Sequence, residues 1–221
     1  DTAIQSFVNF ADDNRSVFGS EGEELIEHLI EDVTADEIPG VRAAAASGTL
    51  TIDQLMREYE DTTSEILESV ALAPRAVNDA QVSAYLDSYL NLLEAAEGMS
   101  RSRALLVDVF ARDEFAAGQA AQLQALVVNM EDDLAEFQRG AHPSVARLAA
   151  EITNNPALND ANAAIQTALN NARGGDFGIN PLGWYDTSGQ SAAVFAQLQS
   201  AEANALRNDA DDIASSANSS L

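Results

Sequence analysis

The sequence predicts an all-α protein, an antiparallel up-and-down helical bundle or two bundles sharing a long helix. Three observations carry this. Apolar residues recur at steps of three and four through most of the 221 residues, the period of helices that bury one face. Only 6% of residues are aromatic and alanine dominates many windows, which suits close helix packing and gives sheets little of the bulky surface they need. The connections between periodic segments are short, and short connections make antiparallel neighbours of long amphipathic helices. With 46% hydrophobic residues, residues 1–221 can fill a core as one large helical domain or two small lobes, and a single helical domain is expected.

Residues 2–18 carry apolar groups at helical spacing, Gly19 and Gly22 interrupt them, and an acidic helix follows over Glu23 to Asp32. The stretch Val33 to Gly48, with Pro39 and Gly40, predicts a turn containing a short helix. Thr49 or Thr51 starts the next helix, Thr51 with Asp53 and Gln54 giving a capping-like start, and Ile52, Leu55, Met56, Tyr59, Thr63, Ile66 and Val70 form one stripe until Pro74 stops it. From Asn78 to about Arg112 the stripe persists for eight turns without proline, so this segment is expected to be the longest helix. Asp113-Glu114-Phe115 connects it to residues 117–139, where Leu123, Leu126, Met130, Leu134 and Phe137 form a seam closed by Gly140 and Pro143. Shorter helices are expected over Ser144 to Thr153 and Leu158 to Ala172, then a loop from Gly174 to Gly183. A last helix starts at Pro181 or Asp186 and runs to Ser216. No internal repeat is present.

Eleven basic against 36 acidic residues leave a formal charge of −25, a field that repels phosphate, so nucleic acid and anionic membrane are excluded as partners. All 11 basic residues are arginine. Together with the acid excess, this points to a high-salt source such as a marine or halophilic bacterium, where a Debye length of about 3–5 Å makes self-repulsion tolerable. Cysteine is absent, which removes disulfides and thiolate chemistry. No window approaches about 18 uninterrupted apolar residues, and no signal peptide is visible. The beginning in Asp1-Thr2-Ala3-Ile4, already apolar-periodic, suggests excision from a longer protein, with membrane anchors outside the segment.

Two arginines break the apolar pattern. On the helix of residues 78–112 the seam runs Tyr85, Tyr89, Leu92, Ala96, Met99, Arg103, Leu106, Phe110, and on the first helix it runs Ile4, Val8, Ala11, Arg15, Phe18. Arg57, Arg139, Arg147 and Arg207 fall off the stripes of their helices, where the charged head stays in water. A guanidinium cannot shed its proton inside a protein, so an inward arginine must be paired, hydrated or placed for an anion. Arg15 and Arg103 therefore either pair with nearby carboxylates or converge on a small oxyanion, whose planar geometry a guanidinium fork matches. Remote carboxylates do not forbid such a ligand, because affinity is set by desolvated donors within a few ångströms.

The run Ser100-Arg101-Ser102-Arg103-Ala104-Leu105-Leu106-Val107-Asp108-Val109-Phe110-Ala111-Arg112, followed by Phe115 to Gln119, Leu123 to Leu126 and Asp133-Leu134-Ala135-Glu136-Phe137, resembles the nitrate- and nitrite-sensing (NIT) domain family. That family shows a Glu-Arg-Ala-Leu-Leu run, a short turn with Phe, and a leucine-rich helix ending near Phe. Tyr59, and Trp184 leading to Glu202, resemble further family positions. Asn14-Arg15-Ser16-Val17-Phe18 is a loose counterpart of the first-helix Glu-Arg-Gly signature, and Ser102 stands where the family usually has Glu. The resemblance implies that Arg15 and Arg103 bind the anion, with Arg101 a third contributor and Arg42 a distant match to a further family arginine. It also implies two adjoining four-helix bundles that sense nitrate or nitrite and report occupancy to an attached signalling module; a homodimer is expected, at the periplasmic or extracellular face of an inner membrane, with the cytoplasm as the alternative.

Other chemistry finds no footing. Only His28 and His142 exist, and His28 with Glu24 and Glu31 is one cluster where a dinuclear carboxylate site needs two. No nucleophile elbow, phosphate-cradling loop or catalytic Lys or Cys is present, so no enzyme activity, metal or cofactor is expected. Two alternatives to an anion sensor stand: a helical dimerisation or scaffold module with structural arginines, and a chemoreceptor bundle for an organic acid or amine.

Overall fold

The computed structural model describes residues 37–77 and 79–218, together with 8, 9, 23, 24, 26, 27, 30 and 31. Every regular element among them is helical, and the chain divides into two compact units, Asp1–Asn78 and Asp79–Leu221. The division falls in the connection between two helices, so each long helix belongs to one unit. Among the described residues no helix is long and apolar enough to cross a membrane.

In the first unit, α1 (Glu37–Ala46) is an alanine-rich helix that ends at Gly48, whose φ of 68° lets the chain turn while Thr49 N–H bonds the Ala44 carbonyl at 3.0 Å. Helix α2 (Ile52–Ala76) starts in the predicted capping box: Gln54 N–H donates to Thr51 Oγ1 at 3.2 Å, and Thr51 N–H donates to Gln54 Oε1 at 2.9 Å. Pro74 does not stop it. The helix carries on to Ala76, because a proline in the last turn forfeits only its own backbone bond near an end that frays anyway.

The second unit holds α3 (Ala80–Arg112), α4 (Gln119–Gly140), α5 (Ala146–Glu151), a 3₁₀ turn (Ile152–Asn154), α6 (Pro156–Asn170) and α7 (Pro181–Asn218). The longest helix is α7 with 38 residues, not α3 with 33. Asn180 caps α7, its Oδ1 accepting from Leu182 and Gly183 N–H at 2.9 and 3.1 Å, and Pro181 sits at the first helical position where it costs nothing. Helix α3 is the spine, packing most extensively on α4 and α7, while α6 packs on α7. Small residues set the α3–α4 approach. A Cβ on Gly98 would lie 3.2 Å from the Met130 Cβ, and Ser88 Oγ donates to the Phe137 carbonyl at 3.2 Å. Leu92, Met99, Leu106, Leu123, Phe137, Ile165, Trp184 and Leu198 form the centre of the core.

Candidate functional site

The predicted seam of α3 is one flank of the buried line and not its centre. The least exposed side chains run Leu92, Ala95, Met99, Ser102, Leu106, Val109, a three-and-four alternation whose phase differs from the predicted one at every second position. Ser102 takes the core position, and Arg103 beside it is half-buried. Arg103 thus leaves the core at its edge and reaches the first turns of α7.

There three groups of α7 meet it. Trp184 is buried and its Nε1–H donates to the Arg103 carbonyl at 3.0 Å, while its ring stands edge-on to Phe110 at 5.8 Å. The Arg103 Nη2 donates to the Tyr185 carbonyl at 3.2 Å, and its Cζ lies 3.9 Å from the centroid of the Tyr185 ring, a cation–π contact. A Cβ on Gly189 would lie 3.4 Å from Nη2 and 3.9 Å from Cζ. The preceding loop is held against the end of α3. Phe177 N–H donates to Asp113 Oδ1 at 3.0 Å, and Gly175, with φ 64°, comes so close that a Cβ would collide with the Asp113 carbonyl oxygen. The first turn of α7 is therefore built on α3 from both sides of Phe110, which also meets Phe177 at 5.7 Å.

Arg103 has no carboxylate partner among the described residues, and its Nε–H is buried without an acceptor. The arginines read as solvated behave differently. Arg57, Arg139, Arg147 and Arg207 are exposed, and Arg139 and Arg147 pair with Glu136 and Glu151 one turn away on their own helices.

A second polar cluster lies further along α7. Glu202 is wholly buried; Oε1 accepts from His142 N–H at 2.9 Å, and Oε2 meets no donor. The His142 ring sits edge-on to Tyr85 at 4.8 Å, with Nε2 3.3 Å from Asp209 Oδ2. Burial pushes the Glu202 carboxyl up, against the bond from His142 and its charge, which pull it down; burial and then Glu202 raise the Tyr89 phenol. Burial and Asp133 raise Glu94, and burial and Asp132 raise Asp133. A carboxyl whose folded pKa exceeds its unfolded one holds its proton more tightly when folded. Its stabilisation is complete below the unfolded pKa and is lost as pH rises through the folded pKa. These carboxyls share that sign, so the melting midpoint is expected to fall as pH rises above the ordinary carboxylate range. Glu202→Gln should flatten the fall, and a pH series of melts on both chains checks it; an equal slope would show that Glu202 is not a source.

A family model described as nitrate and nitrite sensing matches residues 1–208. The chain belongs to the NIT family. The match spans both compact units. No curated protein and no solved structure matches the chain. A NIT domain is a sensing module of signalling receptors, and the family is not a catalytic one.

Of the residues the NIT resemblance singles out, Arg103 stands as described. Arg101 is half-buried two positions earlier, which sets it about 200° round the helix axis, on a different face. Arg15 lies outside the described residues, as does His28. Arg42 is exposed, its Nε donating to the Tyr59 hydroxyl at 3.4 Å. Trp184 and Glu202, which resemble family positions, are both buried and both bonded to backbone. No periodicity marks Tyr185 and Gly189 in the sequence, since the contact of Tyr185 with Arg103 crosses 82 residues and that of Gly189 still more.

Proposed function

We propose that this NIT domain is the ligand-sensing part of a bacterial signal-transduction receptor, a chemoreceptor or sensor kinase, and that it binds nitrate or nitrite on the guanidinium of Arg103. The observation that carries this is a half-buried, permanently charged side chain with no carboxylate partner among the described residues and a buried Nε–H that meets no acceptor. An unsatisfied buried donor costs about 1–3 kcal/mol, a cost that an oxyanion on that edge removes. The guanidinium fork matches planar trigonal oxygen acceptors. The scaffold reading needs a carboxylate of the same chain or of its partner on Arg103, and the described residues of this chain supply none. Homodimerisation, membrane tethering and a periplasmic or extracellular location belong to the same proposal.

Calorimetric titration of the 221-residue chain with nitrate, nitrite and small carboxylates tests it. Saturable heat and a rise in melting midpoint with nitrate or nitrite are expected. Neither heat nor shift with these two anions removes the reading, and a response to carboxylates alone moves the domain to organic acids. The same titration on Arg15→Ala determines the part of Arg15.

A further inference from the structure

We infer that Tyr185, with Gly189 one turn further along α7, is the positioning pair that aims the Arg103 guanidinium; the inference rests on the anion reading above. Arginine brings several rotatable bonds to any site, and donors that wander lose affinity to ordering. Here two degrees of freedom are removed by one residue. The Tyr185 carbonyl holds Nη2 at 3.2 Å, and its ring lies under Cζ at 3.9 Å. One face and one terminal nitrogen of the fork are thereby taken, while the buried Nε–H has no acceptor. Gly189 makes the room. A Cβ there would sit 3.4 Å from Nη2, in ordinary contact, so a bulky side chain reaching toward α3 from that position would press on the guanidinium.

Tyr185 is 53% exposed, against 37% for Tyr59. Core packing does not account for such a ring, since most of its apolar surface stays in water; the contact with Arg103 does. Trp184, its neighbour, carries the packing instead: it is 1% exposed and tied to the Arg103 carbonyl. The two successive residues divide the labour, one anchoring the helix and one orienting the cation.

The test uses the full chain labelled with ¹⁵N at arginine Nε, free of nitrate, with the Arg103 resonance assigned by its loss in Arg103→Lys. Tyr185→Phe keeps ring and carbonyl, so the Arg103 signal and its slow exchange with water should be preserved. Tyr185→Ala and Gly189→Leu should move that signal toward those of exposed arginines and speed its exchange. Circular dichroism melts should stay near that of the parent chain for Tyr185→Ala, and its nitrate affinity should fall roughly 3- to 30-fold. An Arg103 signal unchanged in position and exchange in both Tyr185→Ala and Gly189→Leu overturns the inference. If the signal moves as expected and the parent chain takes up no nitrate, positioning stands and the anion reading falls. If Arg103→Ala abolishes nitrate binding and Tyr185→Ala alters neither signal nor affinity, the positioning inference alone falls.

Discussion

Arg103→Ala is expected to weaken nitrate binding by about 2–4 kcal/mol, roughly 30- to 700-fold in Kd, because charge-assisted bonds to an anion are lost together with the cation itself. Arg139→Ala serves as the control. It removes an equal charge from an exposed position already paired with Glu136, and its effect should stay within twofold since surface pairs contribute little. Arg103→Lys separates charge from geometry: the ammonium keeps the positive charge without the planar fork, so its affinity should lie between those of the parent and the alanine variant. Titration calorimetry on the three variants reads all of this. Equal losses in Arg103→Ala and Arg139→Ala would mean that the net field, not a site, attracts the anion. The folded state itself should survive Arg103→Ala, because the side chain sits at the edge of the core and not inside it.

Trp184→Ala is expected to be the most damaging single change to the second unit. The indole is 1% exposed, stands edge-on to Phe110 and bonds the Arg103 carbonyl. Large-to-alanine changes at such positions cost about 3–5 kcal/mol, which corresponds to a fall of roughly 6–20 °C in melting midpoint for a chain of this size. Trp184→Phe retains most of the apolar volume and should lose about 1–2 kcal/mol, mainly the hydrogen bond and a small void. The loss should also reach the ligand. Trp184 is where α7 is fastened to α3, and the carbonyl and ring that hold Arg103 belong to the next residue. Melts by circular dichroism measure the stability, and a midpoint within 2 °C of the parent would contradict the assignment of Trp184 as the anchor.

Much of the helical layout was legible because apolar periodicity and caps are local. Thr51 with Gln54 marked the start of α2, and Gly140 with Pro143 marked the end of α4. Two errors have physical causes. Pro74 signalled a stop, but only a residue's distance from the helix end decides whether a proline matters there. The length of α7 was underestimated against α3, since Pro181, Gly183 and Gly189 carry loop-like signals. In the fold Asn180 caps the first turn and Gly189 is room for Arg103.

The site was legible only in part. Arg103 stands out because a charge interrupts an apolar stripe, yet it lies shallower than that stripe implies. Large residues such as Tyr85 and Tyr89 drew the seam toward their side of the helix, while the buried line passes through Ala95, Gly98 and Ser102. Small residues give a weak hydrophobic signal although they are what lets helices approach. The partners of Arg103 on α7 were hidden for a different reason: a backbone carbonyl, an exposed ring and a glycine leave no pattern in one dimension.

The most direct test of the central claim is a crystal structure of the chain grown with nitrate. An oxygen of the anion is expected about 2.7–2.9 Å from Nε or a terminal nitrogen of Arg103, with Nη2 still on the Tyr185 carbonyl. Nitrate bound elsewhere, with Nε of Arg103 still lacking an acceptor, would contradict it.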